Sequence, residues 1–267
     1  MPEKLGIIGG GVMGEALLSR LIAAGIYEAG EVVVSDPAAE RRQKLAASYG
    51  VNTTPDNQQA LNATETVLLA VKPQIFAAVA ATVAEVPGEK PLLVSIMAGV
   101  PLASLAAAFP GWPLVRAMPN TPATVGAGMT AIALGPQVTP DQQALAKQLF
   151  SSVGEVVEVA ESLMDAVTGL SGSGPGYVAI MIEALADGGV AAGLPRAIAL
   201  QLAIQTVKGT AELLQTENLH PAVLKDRVTS PGGTTIAGIA CLESLGLRTA
   251  LIEAVRTACQ RAKELGA

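Results

Sequence analysis

Up to about residue 160 the chain alternates short apolar runs with Ala- and Leu-rich stretches whose apolar positions recur at helical spacing. Short β-branched runs bounded by turn residues predict buried strands. They fall at residues 5–8, 31–35, 66–71, 91–97 and 114–118, with helices between most of them. Runs at 128–134 and 155–159 predict further strands at the sheet edge. Such alternation implies a parallel sheet with right-handed crossovers. After Glu161 the strand pattern stops, and residues 162–194 and 196–215 predict two long Ala-rich helices, followed by shorter ones to Ala267. The expected division is an α/β domain at 1–160 and an all-helical domain at 161–267. No low-complexity linker separates them, so they are expected to pack together.

Composition sharpens this picture. Half of the 267 residues are apolar, enough for a sizeable core, yet aromatics are only 3% while Ala and Gly abound. That balance favours close helix packing over a core of large rings. Mean hydropathy is high, but no apolar run approaches the roughly 18 residues a membrane span needs. The excess is expected between subunits, and stretches such as ALADGGVAAGL suit an intertwined helical dimer. The N-terminus carries no basic segment followed by an apolar stretch and cleavage site, so the expected compartment is the cytoplasm. A net charge of −6 without a basic cluster argues against nucleic acid and membranes as partners. Cys241 and Cys259 are too few and too far apart for a disulfide framework or a metal site. They read as buried small hydrophobes.

Directly after the first strand stand Gly9, Gly10, Gly11, Val12, Met13 and Gly14, with a helix expected from about Glu15. In this order Gly9 allows a tight turn, Gly11 lets the backbone approach a pyrophosphate, and Gly14 lets helix and strand pack closely, while the helix N-terminus faces the phosphates. The next strand ends in Val33, Val34, Ser35, Asp36 and Pro37, with Arg41 and Arg42 beyond. An acid here binds the adenosine ribose diol of NAD, whereas a small hydroxyl residue with nearby arginines accommodates the 2′-phosphate of NADP. Both signals are present, and Asp36 also reads as a helix cap ahead of Pro37.

Ligands of an open α/β sheet collect at the carboxyl ends of the strands. That places Ala70, Val71, Lys72 and Pro73, and the turn at 95–99, beside the nicotinamide half. Lys72 reads as a solvated charge whose backbone lines the cofactor. Two prolines in RAMPNTP fix a rigid loop from which Asn120 and Thr121 project toward a substrate. The segment GLSGSGPGY breaks a helical stretch, either at a helix crossing or at a wall of the site. His220, the single histidine, stands before Pro221 in a helix connection, badly placed for a general base.

The stretch SPGGTT at 230–235 reads as a helix start with Ser230 as cap, Pro231 at the first position, and Gly232, Gly233, Thr234 and Thr235 in the first turn. Free amides of such a turn hold a carboxylate without a cationic side chain, and Thr235 offers a hydroxyl beside it.

GIIGGGVMG, AVKPQ, RAMPNTP, GLSGSGPGY and SPGGTTIAG, in this order and spacing over essentially the whole chain, resemble the pyrroline-5-carboxylate reductase family. The resemblance implies an N-terminal Rossmann-type dinucleotide-binding domain and an all-helical C-terminal domain that dimerises, holds substrate and completes the partner's active site. It implies homo-oligomers built from intertwined dimers, often five of them in a decamer, and the last step of proline biosynthesis. Carried over, the glycine loop, Ser35 and Asn57 would hold the pyrophosphate and adenosine end of NADPH, or of NADH. Ala70, Val71, Lys72 and Pro73, with Ile96, Met97 and Ala98, would surround the nicotinamide half. Ser230, Gly232, Gly233, Thr234 and Thr235 would hold substrate, joined by Glu161 and Asn120, with Thr235 as the catalytic donor. Asp36 and Arg227 depart from the residues common at those positions and bear on cofactor preference.

Reduction of a cyclic imine needs hydride at carbon and a proton on nitrogen, and the protonated imine is already electrophilic. No strong protein base is required, so catalysis would be mostly positioning. A 3-hydroxyacid dehydrogenase shares the domain plan but needs a lysine in the first long helix of its second domain; residues 162–194 contain none. A nucleotide-sensing scaffold on the same fold is the other alternative.

Overall fold

The computed structural model describes residues 3–82 and 88–266. The chain divides into two compact units, Met1–Ser173 with Thr257–Ala267, and Gly174–Arg256.

The first unit is built on eight strands, β1 (Leu5–Ile8), β2 (Val32–Ser35), β3 (Asn52–Thr54), β4 (Thr66–Leu69), β5 (Leu92–Ser95), β6 (Leu114–Met118), β7 (Gly128–Leu134) and β8 (Gly154–Glu158). Their order is β3-β2-β1-β4-β5-β6-β7-β8, and all neighbours are parallel except β6 and β7. The exception follows from the connection. Residues 119–127 are too few for the helical crossover of about a dozen residues that a parallel return demands.

Successive strand residues point to opposite faces, so each strand feeds two cores. Ile7, Val34 and Val94 pack with Leu17, Leu18 and Leu21 of α1 (Val12–Ala23), Leu45 of α2 (Ala39–Tyr49) and Phe150 of α6 (Pro140–Ser151). Ile8, Val33 and Leu93 pack with Leu61 of α3 (Asn57–Leu61), Val79 of α4 (Phe76–Ala81) and Leu105 of α5 (Leu102–Ala108). Helices on both faces of a mostly parallel sheet make this a Rossmann-type unit, with the strand order reversing between β1 and β4.

Several expectations shift. The strand expected at 31–35 begins at Val32, because Glu31 closes a short 3₁₀ turn capped by Glu28. Those at 66–71 and 91–97 end at Leu69 and Ser95, where the chain turns into the loops that flank the switch point. The strand expected at 155–159 is Gly154–Glu158. β3 is an addition. The helix expected from Glu15 begins at Val12, with Gly11 as its cap. The single helix expected over 162–194 is instead a 3₁₀ turn at Glu161–Leu163, α7 (Met164–Val167), a π turn at Thr168–Gly172 and α8 (Gly174–Ala191). A π turn absorbs one extra residue without ending the helical path, which is how the chain passes through the glycine-rich break.

The second unit contains α8, α9 (Arg196–Thr216), α10 (Pro221–Arg227), α11 (Thr234–Ser244) and the first part of α12 (Leu247–Gly266). α12 has 20 residues and is not one of the shorter helices expected after 215. α8 and α9 meet on Ala186, Ala199 and Ala203, and a Cβ on Gly189 would lie 3.1 Å from that of Ala199. Small residues thus set the close approach. Large apolar side chains remain on the outside, among them Ile180 at 67% exposure, Leu185 at 52% and Leu202 at 53%. Cys241 is exposed and Cys259 half-buried, contrary to the expectation of burial, because a single chain leaves these helix faces uncovered. No single helix among the described residues is long and apolar enough to cross a membrane.

Candidate active site

The glycine loop runs from the end of β1 into α1. Gly9 has φ +103°, a conformation closed to most side chains, and a Cβ there would lie 2.6 Å from the Ala70 carbonyl oxygen. Gly14 is buried, and a Cβ on it would lie 2.2 Å from the Gly9 carbonyl oxygen. A Cβ on Gly11, by contrast, meets nothing within 4 Å. Gly9 and Gly14 are therefore required by the protein's own packing, whereas Gly11 faces open space at a helix N-terminus. This is the cradle a pyrophosphate would fill. Val12 beside it is 73% exposed, and Met13 is half-buried.

The end of β2 closes on this loop. Ser35 donates its hydroxyl to the Asn57 side-chain oxygen Oδ1 at 2.6 Å, so the two residues expected at the adenosine end are brought together. Asp36 accepts from the Gly10 amide through Oδ2 at 3.0 Å and from the Ala38 amide through Oδ1 at 2.9 Å. The cap of α2 is Ala38, not Asp36. Arg41 donates through Nε to the Gly10 carbonyl and through Nη2 to Glu15 at 2.5 Å. Glu15 also meets Tyr49 at 3.1 Å and Lys44 at 3.2 Å. Burial alone would push the Glu15 carboxyl up, but the hydrogen bonds from Lys44, Tyr49 and Arg41 outweigh it and hold the carboxyl below its ordinary value. The role of Asp36 and Arg41 toward the loop was not legible in the sequence. Its only signal was an acid and an arginine after β2, which read equally well as ribose or phosphate ligands.

The carboxyl ends of β1, β4 and β5 lie side by side, with the Ala70 amide on the Ile8 carbonyl at 2.8 Å and the Ile96 amide on the Leu69 carbonyl at 3.1 Å. Ala70, Val71, Pro73, Ile96 and Ala98 are half-buried along this edge, and Lys72 is exposed. Met97 is 1% exposed and packs into the core below the edge.

Asn120 uses both ends of its amide internally. Its Oδ1 accepts from the Met129 amide at 2.9 Å and its Nδ2 donates to the Ser171 carbonyl at 3.1 Å, tying the loop after β6 to β7 and the π turn. Glu161 Oε1 accepts from the Leu102 amide at 2.5 Å and pairs with Arg116 at 3.4 Å, and Asp165 pairs with the same guanidinium at 3.4 Å. Arg116 is 5% exposed and lies in β6. In the sequence Arg116 stands out only as the first residue of RAMPNTP, with nothing to signal the buried ion pairs.

Ser230, Gly232, Gly233, Thr234 and Thr235 lie in the helical unit. Here the expected helix start is corrected. The Gly233 amide returns to the Ser230 carbonyl at 3.0 Å, and Gly232 has φ +68°. Pro followed by a left-handed Gly is the signature of a tight turn, so residues 230–233 form that turn and the cap is Gly233. Thr234 and Thr235 are the first two residues of α11, both exposed. The first helical bond runs from the Ala237 amide to the Gly233 carbonyl, which leaves the amides of Thr234, Thr235 and Ile236 without helical acceptors. His220 caps α10 by accepting from the Ala222 amide at 3.2 Å.

Comparison with known proteins agrees over the full length. Residues 161–265 match the family model described as pyrroline-5-carboxylate reductase dimerisation, and residues 4–99 match that described as NADP oxidoreductase coenzyme F420-dependent. A pyrroline-5-carboxylate reductase of Synechocystis sp. is 61% identical over 266 residues, covering 100% of this chain and 99% of the relative. The structure is similar to that of a pyrroline-5-carboxylate reductase from Coxiella burnetii, with TM-score 0.91, 35% identity and 100% of both chains covered. It is also similar to that of the Plasmodium falciparum pyrroline carboxylate reductase with NADP bound, with TM-score 0.89, 31% identity and 99% and 98% covered. The chain belongs to the pyrroline-5-carboxylate reductase family.

Proposed function

We propose that the first turn of α11 holds the substrate carboxylate on the amides of Thr234, Thr235 and Ile236, and that the Thr235 hydroxyl donates to the ring nitrogen. The chain is an NAD(P)H-dependent oxidoreductase that reduces the cyclic imine 1-pyrroline-5-carboxylate to L-proline. The bound cofactor supplies hydride to the imine carbon. Everything else asked of the protein is placement. Gly9, Gly10, Gly11, Val12, Met13 and Gly14, with Ser35 and Asn57, would hold the pyrophosphate and adenosine end, and Ala70, Val71, Lys72, Pro73, Ile96, Met97 and Ala98 the nicotinamide end. A helix N-terminus attracts a carboxylate through its free amides and dipole, and an exposed hydroxyl one residue into the helix stands beside it. That arrangement at α11 is the observation that carries the reading. Glu161 and Asn120 would shape the substrate side, chiefly by fixing the segments they bridge.

The division at 160/161 is proposed as the functional one, supported by the dimerisation match that begins at residue 161. The chain forms a homo-oligomer through that region. We place it in the cytoplasm, as intertwined dimers gathered in a decamer; the uncovered aliphatic faces of α8 and α9 support the dimer.

Steady-state kinetics of Thr235→Ala and Thr235→Ser at saturating NADPH test the donor. Loss of a hydrogen bond to a group with charged character costs about 1.5–3 kcal/mol, so Thr235→Ala should lose about 10–150-fold in turnover at unchanged nucleotide affinity. Thr235→Ser should keep much of the activity. Because Gly233 is the cap, Thr235→Ala should leave the melting temperature near wild type. Turnover within about twofold, roughly 0.4 kcal/mol, would remove the donor role.

A further inference from the structure

An acid and arginines after the second strand of a dinucleotide-binding unit ordinarily raise one question, which cofactor they select. In this chain both are turned toward the protein. Each oxygen of the Asp36 carboxylate already accepts a backbone amide, from Gly10 at 3.0 Å and from Ala38 at 2.9 Å. Arg41 spends Nε on the Gly10 carbonyl and Nη2 on Glu15. Gly10 is buried and lies between β1 and α1, in neither element. Its two peptide groups are thus held by side chains from the β2–α2 connection rather than by a regular ladder. A buried peptide group deprived of its partner costs a full desolvation penalty, so the loop is fixed in shape before any nucleotide arrives. The network continues outward through Glu15 to Lys44 and Tyr49, which fastens it to α2. A Cβ on Gly10 would lie 2.6 Å from Leu45 Cδ1 and 3.3 Å from Asp36 Oδ2, so the absence of a side chain lets the clamp close tightly.

We propose that Asp36 and Arg41 are positioning residues that clamp the Gly10 peptide of the glycine loop, and that neither reads the 2′ position of the adenosine ribose. This rests on the glycine loop being the dinucleotide site and specifies how its shape is held. Selection between NADPH and NADH then belongs to other groups. A clamp serves both nucleotides alike, because the pyrophosphate they share is what the loop contacts.

Calorimetric titration of the full-length protein with NADPH and with NADH tests this on Asp36→Ala and Arg41→Ala. Each substitution removes charge-assisted hydrogen bonds and should weaken both nucleotides by about tenfold or more, with the NADPH to NADH affinity ratio kept within about twofold. In the nucleotide-free protein, amide exchange at Gly10 should accelerate in Asp36→Ala. Thermal melts confirm folding at the titration temperature. Should Asp36→Ala fold poorly, the isosteric Asp36→Asn, which loses at least one of the two acceptors, gives the same comparison. Asp36→Ala that weakens NADH alone, or tightens NADPH, would make Asp36 a ribose ligand and overturn the clamp. Arg41→Ala that weakens NADPH alone would make Arg41 a phosphate ligand and overturn it too, as would unchanged affinity for both nucleotides. Failure of the loop assignment itself is read separately from Gly11→Val, which would then bind both nucleotides like wild type.

Discussion

Gly11 and Gly14 represent two kinds of glycine in the loop, and a pair of substitutions distinguishes them. A Cβ on Gly14 lies 2.2 Å from the Gly9 carbonyl oxygen, a backbone atom that cannot rotate aside. Overpacking of this sort costs about 1–3 kcal/mol, with a backbone obstacle at the upper end. Ala gains about 1 kcal/mol over Gly in a helix, so Gly14→Ala should lose a net ~2 kcal/mol. For a chain of this size that is a fall of about 4–8 °C in melting temperature. Gly11 stands at φ −65° and ψ −172°, a backbone conformation that Val adopts freely, and a Cβ there meets no atom within 4 Å. Val is a poorer cap than Gly, so Gly11→Val should cost about 1 kcal/mol or less. Its methyl groups would occupy the space into which the pyrophosphate must come, and affinity for NADPH should fall at least about a hundredfold, or ~2.7 kcal/mol. Scanning fluorimetry gives the melting temperatures and isothermal calorimetry the affinities. A Gly11→Val protein that binds NADPH within about twofold of wild type, or that melts as low as Gly14→Ala, would refute the reasoning.

Three further outcomes follow from other parts of the molecule. Glu161→Ala removes the acceptor of the Leu102 amide and one partner of buried Arg116; the expected loss is about 1–3 kcal/mol, seen by denaturant titration, and unchanged stability would show that water replaces the carboxylate. Glu15 has its folded carboxyl held below the ordinary 4.5 because hydrogen bonds outweigh burial, so its contribution is complete above that value and fades as pH falls through the lower folded one. Melting temperature should therefore drop on acidification below about pH 4.5, and less steeply in Glu15→Gln; equal acid slopes would contradict this. Leu185→Glu combined with Leu202→Glu places charges on the uncovered faces of α8 and α9 and should yield a slower-sedimenting species, whereas a native sedimentation profile would put the subunit contact elsewhere.

Much of the sheet is legible because seven strands are β-branched runs bounded by turn residues. β3 is not, since Asn52, Thr53 and Thr54 carry no apolar alternation, and this edge strand is fixed only by its pairing with β2. The antiparallel direction of β7 is not legible for a different reason: it is set by the length of residues 119–127, not by the strand's composition. GLSGSGPGY announces a break in a helix, but Gly and Pro weaken the helical ladder without dictating that a π turn will bridge it. At 230–235 the residue types misled locally. Ser followed by Pro imitates a cap and first helical position, yet Gly232 at positive φ makes a turn first and moves the cap to Gly233. Ser35 and Asn57 were legible as a pair only through resemblance, and their hydrogen bond gives the pairing a physical basis. The Asp36 clamp was not legible at all, because its partners are backbone amides, which have no residue signature.

Purified protein mixed with NADPH and 1-pyrroline-5-carboxylate, followed by loss of reduced nicotinamide absorbance and by chemical determination of product, bears on all of these roles together. One L-proline should appear for each NADPH consumed, with no turnover when a 3-hydroxyacid and oxidised nucleotide are supplied instead. Stable absorbance with the imine present, in a protein that still binds NADPH, would contradict the assignment of this chain as a reductase of the cyclic imine.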